Sequence, residues 1–184
     1  MEPDPEIRLH DKTFVPFISS DEIDFAIAQM AAQVAADFAD DVPVLVGVLN
    51  GSFMAVADFA RYYHGPCEVS FLKLASYEGT QTTNNVKKLI GLSHDLAGRS
   101  VVVIEDIVDT GNTIVELKAL FKEQNVKHLK FATLFFKPDA YTKDVKLDYV
   151  GIRIPNKFIV GYGLDYDGLG RNLPAVYQLK EDSL

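Results

Sequence analysis

The first long apolar pattern in the chain has the spacing of an amphipathic helix. Ser19 and Glu22 are placed as a capping box, and apolar residues then recur at intervals of three and four as far as Phe38. This pattern predicts a helix that begins directly after Ser19 and buries one face. The N-terminal dozen residues, which include Pro3 and Pro5, are expected to be loose.

Short apolar runs rich in β-branched residues alternate with helical patterns further along the chain. Residues 44–49 read as a buried strand, which leads through a polar turn into helical spacing over residues 53–63. Residues 100–104 are followed by a polar loop, another helical pattern and a strand over residues 129–136. Alternating strands and helices predict an α/β fold, with a mostly parallel central sheet flanked by helices on both faces.

Two segments interrupt this alternation. Residues 76–85 are polar and turn-rich, which indicates a surface loop whose length favours a function. Residues 149–164 are β-rich and indicate a small strand-built cap on the sheet. Since no repeat or linker divides the chain, we expect one domain over residues 1–184, with a core of roughly residues 20–140. The N-terminal segment and residues from roughly 141 to 184 are expected to form a β-rich hood.

Composition and charge exclude several classes of protein. The 184 residues are 48% apolar and 24% charged, which is typical of a folded globular domain. The net charge of −8 at pH 7 argues against a nucleic-acid partner, because duplex binding needs many Lys and Arg contacts to phosphate. No apolar run reaches the roughly 18 residues of a membrane span, and residues 1–20 lack a signal-peptide core. We therefore expect a cytoplasmic protein with no membrane partner.

The candidate chemistry follows one apolar strand. Ligands of open α/β sheets bind beyond the carboxyl ends of the strands, and residues 100–104 lead directly into the polar residues 105–113. Gly111 permits a tight turn, Thr110 and Thr113 supply hydroxyl groups, and the start of a helix supplies unpaired N–H groups. Together these features predict a cradle for a phosphate monoester.

Three acidic residues accompany this cradle. Glu105 and Asp106 can accept hydrogen bonds from ribose hydroxyl groups or hold a hydrated magnesium ion. Asp109 lies between them and the cradle, where a carboxylate could accept a proton. A sugar phosphate would satisfy both halves of such a site. The alternative is that the acids are solvated loop residues, and that Asp109 or Thr110 only caps the helix.

Residues 101–113, VVVIEDIVDTGNT, resemble the phosphoribosyl-pyrophosphate (PRPP) signature of type I phosphoribosyltransferases. The rest of the chain resembles the hypoxanthine-guanine branch of that family through GVLNGSFM (47–54), SYEGT (76–80), Phe136-Lys137, IPNKFIVGYGLDY (154–166) and Arg171. The resemblance implies the type I phosphoribosyltransferase fold. It also implies purine salvage, in which the 5-phosphoribosyl group of PRPP moves to N9 of hypoxanthine or guanine and pyrophosphate is released.

The resemblance gives the signature residues their roles. It implies that Glu105 and Asp106 contact the ribose hydroxyl groups. It also implies that the cofactor is Mg²⁺, with Glu105, Asp106 and Asp165 as the metal-binding residues. It implies that the 5′-phosphate is wrapped by Asp109, Thr110, Gly111, Asn112 and Thr113. The aspartate that matches Asp109 also faces N7 of the purine and is the candidate general base.

The resemblance also assigns residues to pyrophosphate. The family's pyrophosphate loop, which in relatives can contain a non-proline cis peptide bond, corresponds to Leu49, Asn50 and Gly51. Many relatives have Lys or Arg at the position of Asn50, so this loop has less positive charge. Arg171 matches an arginine that reaches pyrophosphate, and Ser76 and Tyr77 belong to a lid that closes during the reaction.

Three residues are assigned to the purine. Lys137 matches a lysine that hydrogen-bonds the 6-oxo group, Phe158 matches an aromatic residue that stacks on the base, and Ile159 would offer its backbone to the purine edge. From the residues alone, Lys137 could equally be an exposed lysine at a strand end, and packing within the cap is the favoured interpretation of Phe158.

Two alternatives to this enzyme stay open at the level of sequence. One is a PRPP-sensing regulatory protein with the same fold, and the other is a sister enzyme that prefers guanine or xanthine. The acidic charge disfavours a regulator that binds nucleic acid. The resemblance further implies a homodimer or a homotetramer.

Overall fold

A computed structural model describes residues 6–74, 88–90 and 95–181 of the chain. For residues 88–90 only the backbone is described. Along the chain, the helices and strands are β1 (Ile7–Leu9), β2 (Lys12–Ile18), α1 (Ser20–Asp37), β3 (Val44–Val48), α2 (Phe53–Tyr62), β4 (Glu68–Leu74), β5 (Lys88–Ile90), β6 (Ser100–Val108), α3 (Asn112–Lys122), β7 (His128–Phe136), β8 (Tyr149–Arg153), β9 (Ile159–Val160) and β10 (Val176–Leu179).

A six-stranded sheet in the order β5-β4-β3-β6-β7-β8 forms the centre of the fold. Its neighbouring strands run parallel except for the antiparallel pair β4 and β5. Val46 of β3, for example, lies opposite Ser70 of β4 and Val103 of β6. Parallel neighbours need crossover connections, which α2 provides between β3 and β4 and α3 between β6 and β7. The mostly parallel sheet expected from the sequence is confirmed.

Helices cover both faces of this sheet, as the alternating pattern predicted. On one face α1 and α2 pack with fully buried Ile27 and Phe59, and on the other α3 packs with fully buried Leu117 and Phe121. Each face therefore has its own apolar core. The two cores hold the strands between them and leave the carboxyl ends of the strands for polar loops. Within the described residues, no helix has the length and apolar character needed to cross a membrane.

The predicted capping box is present at the start of α1. The backbone N–H of Glu22 donates to Ser19 Oγ at 3.3 Å, and the backbone N–H of Ser19 donates to Glu22 Oε2 at 2.9 Å. Two donors that the first helical turn would leave unpaired are thus satisfied. The helix begins at Ser20, directly after the residue that the sequence indicated.

A second sheet, antiparallel and in the order β1-β2-β10-β9, lies beside the first. The expectation that the N-terminal dozen residues are loose is wrong for the described part, because residues 7–9 form β1 and Lys12 begins β2. Phe14 of β2 is fully buried and packs in one cluster with Val160 and Tyr177. Pairing with strands from the other end of the chain holds this segment, so no local pattern signals it.

The strand-built cap expected over residues 149–164 does not include the first residues of that range. Its first part, β8, joins the central sheet parallel to β7, with Tyr149 opposite Ala132. The hydroxyl of Tyr149 donates to Asp37 of α1 at 2.6 Å, which ties the strand to the helical layer. The loop expected over residues 76–85 lies outside the described residues.

We expect Ser19→Ala to lower the free energy of unfolding by about 1 kcal/mol, because it removes the side-chain half of the capping box. In a chain of this length that loss lowers the melting temperature by about 2–4 °C. Ser19→Asp is the matched control, since aspartate retains a capping oxygen and should keep most of the stability. Equal melting temperatures for Ser19→Ala and the wild type would contradict the prediction.

Candidate active site

The predicted site residues within the described part of the chain lie near the carboxyl edge of the central sheet and on the hood segment that faces it. Strand β6 continues to Val108, so Glu105 and Asp106 are part of the strand and not of the loop after it. The ladder with β7 includes Glu105 opposite Thr133 and Ile107 opposite Phe135. This ladder fixes the backbone that carries the two acids.

The loop between β6 and α3 has the form of an anion cradle. Gly111 is the N-cap residue of α3, with a left-handed φ of 86°, and no side chain forms a capping hydrogen bond there. The alternative in which Asp109 or Thr110 caps this helix is therefore wrong. Thr110, Asn112 and Thr113 are exposed at the start of the helix. Backbone N–H groups in this turn are left for a ligand, and the helix dipole favours an anion.

Gly111 is also required by its surroundings. The ring of Tyr141 and the side-chain stem of Lys143 occupy the space that a Cβ on Gly111 would need. The backbone N–H of Thr142 donates to the carbonyl of Thr110 at 3.4 Å, which joins the two segments. The segment after β7 therefore packs against the cradle and holds its shape.

Glu105 is a buried carboxylate that lacks a complete set of partners. It is 5% exposed, and its Oε1 atom has no hydrogen-bond partner in the described part of the chain. Burial, followed by the nearby negative charge of Asp106, raises the pKa of Glu105 well above its ordinary value. A buried polar atom without a partner is costly. A hydroxyl group or a cation from a ligand would relieve that cost.

Asp106 lies at the same end of β6 and has a perturbed pKa of about 6. Burial is the main cause, and the negative charge of Asp165 adds to it. A hydrogen bond from the backbone N–H of Ile107 at 2.7 Å and the positive charge of Arg171 act in the opposite direction. A carboxylate that titrates near neutrality is a candidate functional group.

The loop over residues 49–51 lies directly against Asp106. Its Leu49–Asn50 peptide bond is cis. A Cβ on Gly51 would overlap the carboxylate of Asp106, and a Cβ on Gly163 would overlap the carbonyl oxygen of Gly51. The β3 loop, the end of β6 and the hood therefore meet where two glycines allow close approach.

Asp109 and Lys137 form the most direct contact between predicted site residues. The ammonium of Lys137 donates to Asp109 Oδ2 at 2.9 Å, and the two side chains are 9% and 44% exposed. The backbone N–H of Lys137 also donates to the carbonyl of Val108 at 3.0 Å. The predicted general base and the predicted purine-reading lysine are thus neighbours at the ends of adjacent strands.

Asp165 and Arg171 form a second ion pair. Arg171 Nη2 lies 2.6 Å from Asp165 Oδ1, and Arg171 Nη1 donates to the carbonyl of Gly163 at 2.7 Å. The other oxygen of Asp165 accepts a hydrogen bond from the backbone N–H of Gly168 at 2.7 Å. The guanidinium is therefore held against the hood segment that contacts Gly51.

Phe158 and Ile159 have different surroundings. The ring of Phe158 is exposed over 46% of the residue's surface and contacts the rings of Tyr166 and Phe14 at centroid distances of 5.9 and 6.1 Å. Ile159 is buried and lies opposite Gln178 in the ladder between β9 and β10. Phe158 thus has apolar support on one side and an open surface that a flat ring could cover.

The described acids fit a magnesium ion that also uses substrate oxygens. No three His, Cys, Asp or Glu side chains converge as a metal cage in the part of the chain described. Mg²⁺ is commonly held by one or two carboxylates together with water and substrate phosphate oxygens. The carboxylate of Asp106 and the unpartnered oxygen of Glu105 lie at the same end of β6 and could contribute to such a shared ion, which would offset the cost of burying them.

Ser76 and Tyr77 lie outside the described residues, so their expected lid role stays a prediction.

Two described residues next to the predicted site residues were not singled out from the sequence. Sequence reasoning missed Gly163 and Lys73, whose ammonium donates to Asn50 Oδ1 at 3.1 Å. Gly163 was inside a quoted motif, but Lys73 belongs to an ordinary strand pattern and had no signal of its own.

Comparison with known proteins agrees with this geometry. Residues 19–167 match the family model described as "Phosphoribosyl transferase domain". A hypoxanthine-guanine phosphoribosyltransferase of Streptococcus pneumoniae is 39% identical over 168 residues, covering 90% of this chain and 92% of that protein. Its counterpart in Streptococcus mutans is 41% identical over 165 residues, covering 89% and 92%.

A solved structure leads to the same family. The crystal structure of a hypoxanthine-guanine phosphoribosyltransferase from Bacillus anthracis superimposes with a TM-score of 0.84 at 37% identity, covering 90% of this chain and 98% of that one. Family model, sequence relatives and fold therefore coincide over most of the chain. The chain belongs to the phosphoribosyltransferase family, in its hypoxanthine-guanine branch.

Proposed function

We propose that this protein is a purine salvage enzyme that transfers the 5-phosphoribosyl group of PRPP to N9 of hypoxanthine, and also of guanine. The products are the nucleoside monophosphate and pyrophosphate. The observation that carries the proposal is the pairing of Lys137 with Asp109 at 2.9 Å, just before the uncapped start of α3. It places a cation and a carboxylate together beside an anion cradle, as a 6-oxopurine next to a sugar phosphate requires.

The sugar phosphate is proposed to bind along the end of β6. The 5′-phosphate would be held by backbone N–H groups and hydroxyls of residues 109–113, where no side chain caps the helix. Glu105 and Asp106 would accept hydrogen bonds from the ribose hydroxyl groups. The unpartnered oxygen of Glu105 supports this role, because a hydroxyl donor would satisfy it.

The purine is proposed to occupy the space beside Asp109 and Lys137. Lys137 would donate to the 6-oxo group, and Asp109 would accept the proton from N7 as N9 attacks the anomeric carbon. The bond between that carbon and pyrophosphate breaks as the new bond to N9 forms. Phe158 would stack on the ring with its open surface, and Ile159 would offer its backbone to the purine edge. In the absence of the base, Asp109 and Lys137 satisfy one another.

The departing pyrophosphate is proposed to meet residues 49–51 and Arg171. Backbone N–H groups of the loop and the guanidinium would stabilise its developing charge. Glu105, Asp106 and Asp165 would hold Mg²⁺, which when bound supplies Lewis-acid stabilisation to pyrophosphate oxygens. Closure of a lid that contains Ser76 and Tyr77 would exclude water from the reacting sugar.

The cellular location, the oligomeric state and the binding partners follow from the same proposed function. We infer a cytoplasmic homodimer or homotetramer whose partners are PRPP, a 6-oxopurine and pyrophosphate. Overall acidity supports a small-molecule enzyme over a protein that binds nucleic acid. The 39% and 41% identities to hypoxanthine-guanine phosphoribosyltransferases support the enzyme over a regulatory protein of the same fold.

Product formation from PRPP and magnesium tests the reaction, with hypoxanthine, guanine, xanthine and adenine supplied in parallel. We expect nucleotide from hypoxanthine and guanine but not from adenine, since its 6-amino group cannot accept a hydrogen bond from Lys137 as an oxo group does. Asp109→Asn should lower turnover by about 10²-fold or more, the usual scale for the loss of a general base.

Asp40→Asn is the matched control for that substitution, because Asp40 is exposed and precedes β3 at the opposite edge of the sheet. It should leave turnover unchanged. Full activity of Asp109→Asn would remove Asp109 from the mechanism. Binding of PRPP without reaction of any base would favour the regulatory protein instead.

The raised pKa of Asp106 predicts a stability that depends on pH. Its value of about 6 in the folded protein exceeds the ordinary 3.8, so the ionised form is disfavoured by folding. The wild type therefore loses stability as pH rises from about 4 through 6, and the cost above pH 6 is up to about 3 kcal/mol. Asp106→Asn keeps an acceptor for the N–H of Ile107 but carries no charge.

Urea denaturation across this pH range tests the effect. Asp106→Asn should be more stable than the wild type at pH 7.5, and about half of that advantage should be lost near pH 5. Asp40→Asn again serves as the control for the exchange of an aspartate for an asparagine. An advantage that is the same at pH 5 and pH 7.5 would show that charge burial at Asp106 is not its cause.

A further inference from the structure

The loop over residues 49–51 carries no positive side chain, although a pyrophosphate group would need one nearby. Asn50 is its exposed polar residue. Acids lie around the loop, with Asp106 in contact with Gly51 and Asp165 on the adjoining hood segment. An anion as highly charged as pyrophosphate would meet a negative environment here unless cations were held close to it.

Two cations of the site are already opposed by carboxylates. Lys137 is paired with Asp109, and Arg171 is paired with Asp165. Lys73 is different, because its ammonium donates to the neutral amide oxygen of Asn50 at 3.1 Å. Within the described residues it forms no ion pair, so an amide orients its charge and does not neutralise it.

The fold places Lys73 beside the loop in two ways. Lys73 belongs to β4, the neighbour of β3, and the loop follows β3 directly. The backbone N–H of Leu49 donates to the carbonyl of Leu72 at 2.8 Å, which fixes the start of the loop to the residue before Lys73. The half-buried stem of Lys73 and its bond to Asn50 then hold the ammonium at the loop.

We propose that Lys73 supplies the positive charge for pyrophosphate at this loop, and that Asn50 positions it. The proposal rests on the proposed function, because it requires the pyrophosphate of PRPP to bind at residues 49–51. Lys73 thereby provides from the neighbouring strand a charge that the loop itself lacks. Its attraction acts on bound PRPP and on the pyrophosphate product, so it contributes mainly to their binding.

Lys73→Met tests the charge with little change of volume. We expect the KM for PRPP and the dissociation constant of magnesium pyrophosphate to rise by about threefold to tenfold, because one close attraction is lost. The KM for hypoxanthine should stay the same. The loss of PRPP affinity on raising the salt concentration should also become shallower, since salt screens the missing charge.

Lys122→Met is the matched control, because Lys122 is an exposed lysine in the last turn of α3, away from the helix start. It removes the same net charge and should leave both constants unchanged. Lys73→Arg should retain most of the affinity, and melting temperatures of the variants establish that each is folded. Equal PRPP constants for Lys73→Met and Lys122→Met would overturn the proposal.

A double variant tests whether the charge alone matters. Asn50→Lys in the Lys73→Met background puts a cation on the loop itself and should restore PRPP affinity. Asn50→Ala alone should weaken binding less than Lys73→Met, because the charge remains and only its orientation is lost. Failure of Asn50→Lys to improve binding in that background would count against a role for charge at the loop.

Binding measurements test the role of Lys73 independently of whether the protein catalyses the proposed transfer. Calorimetry of magnesium pyrophosphate and PRPP reports on Lys73 without any turnover. A wild type that binds both ligands but produces no nucleotide would overturn the transferase, whereas Lys73 would still be judged by its effect on binding. A wild type that turns over normally, with Lys73→Met matching it in both binding constants, would overturn the role of Lys73 alone.

Discussion

The geometry of the site depends on two close contacts made by glycines, one with a carboxylate and one with a backbone carbonyl group. Gly51 lies against Asp106, and Gly163 lies against the carbonyl oxygen of Gly51, with no room for a Cβ at either position. Three separate parts of the chain, the β3 loop, the end of β6 and the hood, are thereby held in van der Waals contact. Arg171 donates to the carbonyl of Gly163 and extends this contact to the ion pair of the hood.

Burying acids at the end of a strand is costly, and the central sheet is what makes it tolerable. The pKa values of Glu105 and Asp106 are both raised, mainly by burial. The same strand carries Val102 and Val103, fully buried on opposite faces, and its ladder with β7 continues past the acids. Core packing and backbone pairing therefore oppose a local instability that a bound ligand would relieve.

The features that were predicted correctly from the sequence are those that depend on interactions between residues close together in the chain. The capping box at Ser19, the order of strands and helices, and the glycine turn at Gly111 follow from neighbouring residues, and the structure has all three. Long-range pairing was not predictable in this way. Strand β2 is fixed by β10 at the other end of the chain, and Lys73 reaches Asn50 across 23 positions. Only the fold brings such residues together.

Charge balance explains why two cations of the site each lie against an acid. Lys137 lies against Asp109, and Arg171 lies against Asp165, so these two cations are opposed before a ligand arrives. Under the proposed function, a 6-oxopurine offers a hydrogen-bond acceptor to Lys137 and a proton to Asp109. Binding of the base would therefore replace the Lys137–Asp109 ion pair with two contacts to the base. Under the same proposal, pyrophosphate would compete with Asp165 for Arg171 and would leave that carboxylate without its partner. A divalent cation bound with the substrate would compensate for the carboxylate, so metal and pyrophosphate binding would be mutually dependent.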